Sequence, residues 1–146
     1  MTEKRGTMNL VNAEGGNRFQ RSIAEKVVGE MIDYLLPRLR TLDISVIIKK
    51  MPKNEDAIGW CNMLDTNREF EIEVSKDLSL RDFVTTICHE MVHVKQYARN
   101  EMTDTGMRWK SKRVPEKTKY YDLPWEKEAY RMQDKLAEHV WKMDIL

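Results

Sequence analysis

The chain has 146 residues, which is enough for one domain with a modest core. Its 25 lysine and arginine residues nearly balance 24 aspartate and glutamate residues, and the net charge of +1 provides no overall field that would favour nucleic acid or a membrane. Only Cys61 and Cys88 are present and no stretch is apolar for long enough to form a leader or to cross a bilayer, which excludes a disulfide framework and predicts a cytoplasmic protein without a membrane partner.

The N-terminal part of the chain contains one helical pattern. Residues 1–17 are polar, contain glycine and lack periodicity, so they are predicted to form a flexible arm before a single domain at 18–146. Apolar side chains then recur with helical spacing at 18–40, where Pro37 disturbs the last turn. This pattern predicts the first helix.

The middle of the chain predicts a small sheet. The β-branched residues at 44–48 indicate a short buried strand, and segments 58–64 and 69–74 flank a turn and predict a β-hairpin. In 69–74 charged and apolar residues strictly alternate, which predicts a strand with one solvated face, at or near a sheet edge. We expect this sheet to be mostly antiparallel.

The motif H-E-x-x-H is formed by His89, Glu90 and His93 within residues 85–98. Two imidazoles at this spacing lie one above the other on a helix, so both can bind one Zn²⁺. The carboxylate of Glu90 beside them can act as general base toward a water on the metal. A motif with three fixed positions also arises by chance, so its context decides its meaning.

The helix that carries this motif is predicted to be amphipathic. Ser79, with Asp82 three residues later, is typical of a helix N-cap. At about 100° per residue, His89 and His93 fall almost opposite an apolar face. That face consists of Val84, Ile87, Met91, Val94 and Ala98. We expect one side of the helix to pack into the core and the other to present the metal-binding groups.

The C-terminal part combines a basic segment with a last helix. Residues 101–121 are predicted to be a loop or loose hairpin, with six basic residues at 108–119 around Trp109. Asp122 and Pro124 predict the start of the last helix. The predicted core stripe of that helix is Trp125, Ala129, Met132, Leu136, Val140 and Met143. Together the elements predict an α+β fold.

Two histidines leave a zinc site incomplete. The chain has one further histidine, His139, and too few cysteines for a Cys₂His₂ structural site. A carboxylate is therefore the expected third ligand, with water in the fourth position. The last helix offers Glu126 and Glu128, one at each border of its apolar stripe, and periodicity alone does not choose between them.

H-E-x-x-H followed by a glutamate on a downstream helix resembles the gluzincin zinc metallopeptidases, and the order of elements is similar to their minimal single-domain zincin forms. Antirepressor-cleaving peptidases and other gluzincin-like groups carry the ligand in a Glu-x-x-Ala-(Asp/Asn) motif, which Glu126 and Ala129 match. The resemblance therefore favours Glu126 as the ligand. Tyr130 departs from the motif, and thermolysin-like spacing, with alanine directly after the ligand, would select Glu128.

Residues 60–135 are also similar to small uncharacterised metallopeptidases of bacteriophages, which would place the protein in the host cytoplasm. A more distant resemblance is to SprT-like proteases, whose third histidine has no counterpart at the matching place in this chain. The resemblance implies a hydrolase with one Zn²⁺ per chain that cleaves a peptide or protein substrate. Family members bind the substrate along an exposed strand, and 69–74 is the candidate strand. We expect a monomer.

Gluzincins usually add a tyrosine or histidine that stabilises the oxyanion of the transition state. The candidates in this chain are Tyr130, Tyr121 and His139, together with Tyr97 and Tyr120. None of them stands out from the sequence.

Two other functions remain open. The basic segment at 108–119 would suit a nucleic-acid-associated metalloprotein, and a fold that had lost turnover would be a zinc-binding adaptor. If the chain is a peptidase, its cleft is expected to lie between 69–74 and 101–121, and the cations of the latter segment would favour acidic partners.

Overall fold

A four-stranded sheet, two helices packed on it and a third helix packed on those two make up the computed structural model, which describes residues 8–52, 57–103 and 108–146. The predicted α+β class is confirmed. The elements in chain order are β1 (Leu10–Gly15), α1 (Arg18–Leu35), β2 (Asp43–Lys49), β3 (Gly59–Met63), β4 (Glu69–Ser75), α2 (Leu80–Ala98), β5 (Arg108–Trp109), β6 (Lys112–Arg113), a 3₁₀ turn (Tyr120–Asp122) and α3 (Pro124–Lys142). None of these helices carries an apolar stretch that could span a bilayer.

The sheet is mostly parallel, so the prediction of a mostly antiparallel sheet is wrong. Its strand order is β1-β2-β4-β3, in which β1 and β2 are parallel, β2 and β4 are parallel, and β3 and β4 are antiparallel. The helix α1 connects β1 to β2 as a crossover, and such a connection makes neighbouring strands parallel. The predicted hairpin is confirmed, but its first strand, β3, lies outside β4 and leaves β4 to pair with β2.

The flexible arm predicted for residues 1–17 is wrong for Leu10–Gly15, which form the edge strand β1. Asn9 anchors the start of this strand through two side-chain hydrogen bonds of 2.9 Å to the backbone that precedes β2. Only two side chains of β1 pack against the core, which makes its apolar pattern too short to detect. Residues 1–7 lie outside the described part of the chain.

The alternating strand is not an edge strand. β4 lies between β2 and β3, one strand in from the edge, so the prediction of a position at or near a sheet edge holds only in its second form, and 69–74 is not the exposed strand expected for the substrate. Its three apolar side chains are buried beneath the helices, and its three glutamates lie on the opposite, partly exposed face. The alternation therefore reports that one face of the sheet is solvated, which is equally true of an interior strand in a two-layer arrangement.

The helix α2 packs against α1, α3, β3 and β4. As predicted, Ser79 caps it by accepting a hydrogen bond from the backbone N–H of Asp82. The whole predicted apolar face is buried. The opposite face, which carries His89 and His93, is also buried because α3 covers it. This second contact explains why that face is polar without being charged like an ordinary surface.

Two helix boundaries differ from the prediction. α1 ends at Leu35 instead of near residue 40, because a proline at position 37 disfavours helical backbone before it. Asp122 does not cap α3, since it ends the 3₁₀ turn and the extended Leu123 is the N-cap, with no side-chain cap bond. Pro124 does occupy the first turn, as predicted.

The predicted core stripe of α3 is confirmed over most of its length. Ala129, Leu136 and Val140 are buried, and Trp125 and Met132 are partly buried. The last predicted member, Met143, is exposed because the helix ends at Lys142.

The basic segment contains a short hairpin, one of the two forms predicted for it. β5 and β6 pair antiparallel, and the two tip residues, Lys110 and Ser111, have φ values of 51° and 73°. Two left-handed residues in a two-residue loop form a type I′ turn. The backbone N–H of Lys110 donates to the carbonyl of Glu101 at 2.7 Å, which ties the hairpin to the segment after α2. Residues 104–107 lie outside the described part of the chain.

Candidate metal centre

Three side chains of ligand type meet where α3 packs on α2. His89 and His93 are one turn apart on α2, and Glu126 lies in the first turn of α3. Nε2 of His89 is 3.1 Å from Oε1 of Glu126, and Nε2 of His93 is 3.2 Å from its Oε2. All three side chains are buried and their ligand atoms lie within 4.8 Å of one another, so the group could bind a metal ion.

The distances between these atoms suit a small tetrahedral ion. Donor atoms at about 2.0–2.1 Å from a tetrahedral zinc are about 3.3 Å apart, close to the observed nitrogen–oxygen distances of 3.1 and 3.2 Å. Two imidazoles with one carboxylate are a donor set for zinc and similar transition metals, whereas Mg²⁺ and Ca²⁺ prefer oxygen ligands. Three protein ligands also leave one coordination position for another molecule.

Glu128, the alternative third ligand, has a different role. Its Oε1 accepts hydrogen bonds from Nζ of Lys95 at 2.9 Å and from Nε2 of Gln96 at 3.0 Å. Its carboxylate is therefore engaged by side chains of α2 and is not part of the group of ligand atoms formed with the two imidazoles. Of the two glutamates that the sequence left open, the structure places Glu126 with the histidines.

Two glutamines hold the imidazoles in place. Nδ1 of His89 is 2.8 Å from Oε1 of Gln133, and Nδ1 of His93 is 2.7 Å from Oε1 of Gln96. An amide oxygen only accepts hydrogen bonds, so each Nδ1 carries a proton and donates it. Each Nε2 then faces the carboxylate of Glu126, where a proton in the metal-free chain or a metal ion can lie between nitrogen and oxygen, as in metal sites where the second ring nitrogen donates to a fixed acceptor.

Gln133 belongs to the centre through its contact with His89, although no sequence motif identified it. The sequence offers one clue to this residue. Gln133 follows Glu126 by seven residues, which is two helical turns, so both side chains lie on the same face of α3. The gluzincin-like motif places an acid or amide at position 130, where this chain has tyrosine. Gln133 supplies the amide from the next turn, so the departure at Tyr130 does not leave His89 without an acceptor.

The electrostatics of the centre couple its acids to its imidazoles. Burial by itself raises the pKa of Glu126, but hydrogen bonds from His89 and His93 outweigh this and lower it to about 2. Burial lowers the pKa of His93, but its hydrogen bond to Glu126 and the charges of Glu90 and Glu126 produce a net rise. The group therefore attracts a positive charge, whether a proton or a metal ion.

Glu90 lies beside the ligands and is only 6 % exposed. Burial raises the pKa of its carboxyl, the charge of Glu126 adds to the rise, and the two imidazoles oppose it. The edge strand β3 approaches this carboxylate closely. A Cβ added at Gly59 would lie 3.1 Å from Oε2 of Glu90 and 2.6 Å from Cγ2 of Thr86, so only glycine fits there without a shift.

Three tyrosines cover the centre from the side of α3. The hydroxyl of Tyr120 donates to Oε1 of Glu126 at 3.0 Å, and the ring of Tyr130 lies 4.6 Å from that of His89. Tyr121 is in contact with both other tyrosine rings. Burial is the main cause that raises the pKa of Tyr120 and of Tyr130, so both phenols keep their protons at neutral pH.

The other two oxyanion candidates lie elsewhere. Nε2 of His139 is 2.8 Å from Oε2 of Glu30, and its ring lies 4.6 Å from that of Tyr34, so His139 joins α3 to α1. The ring of Tyr97 lies 6.1 Å from that of Phe70. Neither residue lines the cavities around the ligands. His139 lies on a different face of α3 from Glu126, and Tyr97 lies one turn beyond His93 on α2, where its ring is near that of Phe70.

A cleft gives access to the centre. Two adjoining cavities of about 330 and 360 Å³ share Gly59, His89, Glu90 and the three tyrosines as lining residues. The strand beside the cleft is β3, not 69–74 as predicted. Among the described residues of 101–121, only Tyr120 and Tyr121 line it, so the expectation of basic residues along the cleft is also wrong.

Comparisons with protein-family models, with curated proteins and with solved structures found no match. The resemblance to gluzincins therefore stays an expectation that rests on the motif residues. The capacity of the centre to bind a metal rests on its own geometry.

The ligand assignment predicts a graded loss of metal affinity. Glu126→Gln should abolish stoichiometric zinc binding, because two imidazoles alone do not hold the ion against buffer. Gln133→Leu should weaken binding by about 10–100-fold, since His89 loses the acceptor that orients it. Titration against a competing chelator measures both, with Asp134→Asn, an exposed neighbour on α3, as the control. If Glu128→Ala lost the metal and Glu126→Gln kept it, the assignment would be reversed.

Metal affinity should also depend on pH in one direction. In the metal-free chain the raised pKa of His93 means that a proton occupies this ring at acidic pH, whereas Glu126, with a pKa of about 2, is already ionised. Zinc affinity should therefore fall as the pH drops through the pKa of His93, by up to about tenfold per pH unit. Calorimetry in two buffers of different ionisation enthalpy would count the released protons; a pH-independent affinity would contradict this.

Proposed function

We propose that this chain is a zinc-dependent peptidase. The observation that carries the proposal is the position of Glu90, whose side chain is buried beside the three ligands and lines both cavities. Burial of a carboxylate carries a desolvation cost, which raises the pKa of this group. A zinc-binding adaptor would gain nothing from this cost, whereas a hydrolase needs a base at this place.

Zinc is the proposed metal because two histidines and one glutamate are the donor set of catalytic zinc sites, which keep a fourth position open. When bound, Zn²⁺ would supply a Lewis acid for a carbonyl oxygen and would lower the pKa of a water to ~7. The protein residues would do the rest of the chemistry.

Glu90 would move the proton. Its carboxylate would accept a proton from the attacking water and deliver it to the amine that leaves when the peptide bond breaks. The raised pKa that burial gives this carboxyl supports the second half of the task, because a group with a pKa nearer to neutrality is also an effective acid.

The tyrosines would stabilise negative charge on the scissile carbonyl oxygen. Tyr120 and Tyr130 are neutral hydrogen-bond donors at the cleft, and preorganised donors of this kind contribute most where charge develops. Tyr120 is the favoured candidate because its hydroxyl already reaches a ligand oxygen, at 3.0 Å from Glu126.

The strand β3 would bind the substrate backbone. It is the edge of the sheet on the cleft side, and an extended peptide can add to such an edge through main-chain hydrogen bonds. Because Gly59 has no side chain, a peptide paired with β3 would lie close to Glu90.

The test separates metal binding from turnover. Glu90→Gln keeps the volume and the three ligands, so zinc content should match the parent while cleavage of a proteome-derived peptide library falls by about 10²–10⁴-fold. Elemental analysis and mass spectrometry measure the two quantities, with Glu25→Gln on α1 as a control. A zinc-loaded parent that cleaves nothing would support an adaptor, and equal activity of Glu90→Gln would remove its proposed role.

A second candidate function, binding of nucleic acid, is favoured by the basic hairpin. Arg108, Lys112 and Arg113 are exposed on β5 and β6, and Lys110 lies 5.3 Å over the ring of Trp109. These cations do not line the cleft, so this surface would act independently of the metal centre.

Replacing Arg108, Lys112 and Arg113 by glutamine should reduce retention of single-stranded DNA and lower the salt dependence of binding, because each lost phosphate contact lowers the slope by about 0.7. Zinc content and peptide cleavage should not change. If the parent and the variant bind DNA equally or not at all, the hairpin is a solvated surface.

A further inference from the structure

The charges that line the cleft have one sign. Apart from the two imidazoles, the charged residues lining the two cavities are Asp82, Glu90 and Glu126. In the described part of the chain no lysine or arginine lines either cavity, although such residues number 25 in the whole sequence. This distribution is the reverse of the one expected from the sequence.

A divalent ion would balance only part of this negative charge. Its two positive charges would offset Glu90 and Glu126, which adjoin it, and would leave Asp82 uncompensated. Asp82 lies in the first turn of α2, and its carboxylate makes no hydrogen bond or ion pair with a described residue. At Asp82 the cleft therefore keeps a negative charge that a substrate group can meet.

Two aromatic rings line the same cavity as Asp82. Tyr121 and Tyr130 have ring centroids 5.5 Å apart, and Tyr121 is 69 % exposed. Exposed tyrosine faces attract cations through their ring electrons, and the long aliphatic stems of lysine and arginine pack well on such rings. At about 330 Å³ the cavity is in the size range of sites that hold a small ligand or a side chain.

We propose that this cavity, the acidic subsite formed by Asp82, Tyr121 and Tyr130, accepts a lysine or arginine side chain of the peptide residue next to the scissile bond. The inference rests on the proposed peptidase function and names its substrate class. Asp82 meets the positive charge, and the two rings contact the stem and the charged end. Acidic side chains at the same position are rejected by the like charges of Asp82 and Glu90.

The probe is a set of three peptide hydroxamates that differ in one side chain, which is lysine, its neutral isostere norleucine, or glutamate. A hydroxamate binds zinc directly, so its dissociation constant on the zinc-loaded chain reports the subsite without requiring turnover. The lysine probe should bind about tenfold more tightly than the glutamate probe at low salt, as expected for one exposed ion pair with a cation–π contact. The preference should shrink at high salt.

Matched variants assign the preference to residues. Asp82→Asn should reduce the lysine-to-glutamate ratio at least threefold, whereas Asp33→Asn on α1, with the same change of net charge, should leave it intact. Tyr121→Phe, which retains the aromatic ring, should leave the lysine-to-glutamate ratio unchanged, whereas Tyr121→Leu should lower this ratio.

The experiment distinguishes failure of the acidic subsite from failure of the open metal site on which the peptidase proposal depends. Equal binding of the lysine and glutamate probes to the parent, or an unchanged ratio in Asp82→Asn, would overturn the acidic subsite while leaving the peptidase function standing. If none of the three probes bound the zinc-loaded chain, the open metal site itself would be refuted, and this inference with it.

Discussion

The packing of α3 on α2 carries Glu126 to two imidazoles that lie a turn apart, and the register of this packing is fixed by polar contacts next to the ligands. Nε2 of Gln96 donates to the carbonyl of Trp125, directly before Glu126, at 2.9 Å. Lys95 and Gln96 both donate to Glu128, which lies two residues after Glu126 on α3. A shift of α3 along α2 would break these partly buried hydrogen bonds together with the ligand contacts, so the geometry of the centre and the position of the helix are one constraint.

Burial makes the centre dependent on positive charge. Glu90 and Glu126 are almost completely removed from solvent and lie near each other, an arrangement that is unfavourable for two carboxylates alone. The imidazoles moderate this cost by hydrogen bonding to Glu126, and a divalent ion would do so more strongly. The tyrosines add neutral donors without changing the charge. The positive charge that a bound ion would bring to the two carboxylates would therefore both reduce the cost of their burial and supply the chemistry of the site.

The sequence predicted the features that depend on local pattern. The α2 helix, its Ser79 cap, the β3–β4 hairpin and the gathering of His89 with His93 all follow from spacing along one segment. The choice of Glu126 over Glu128 needed the resemblance, because both lie at a border of the same stripe and only the orientation of α3 separates them. The spacing of the motif residues therefore identified the candidate ligands of the centre, whereas the residues around those ligands were evident only from the structure.

The features that the sequence did not predict depend on how segments meet. β1 was missed because an edge strand buries few side chains, and the parallel pairing was missed because it arises from a crossover between segments. Gln133 is a polar residue on a polar face, and only contact with His89 distinguishes it from a surface glutamine. The cleft was assigned to the wrong strand because alternation reports solvation of a face and not position in a sheet.

The hydrogen bonds around Gln96 have a direction as well as a position. The carbonyl of Trp125 and the carboxylate of Glu128 both accept, so the amide nitrogen of Gln96 points to them and its oxygen points to His93. The tautomer of His93 is thus specified by two acceptors on α3 that bond to Gln96. Turning this amide over would offer the ring a donor, and the lone pair that should face the metal would face the protein instead.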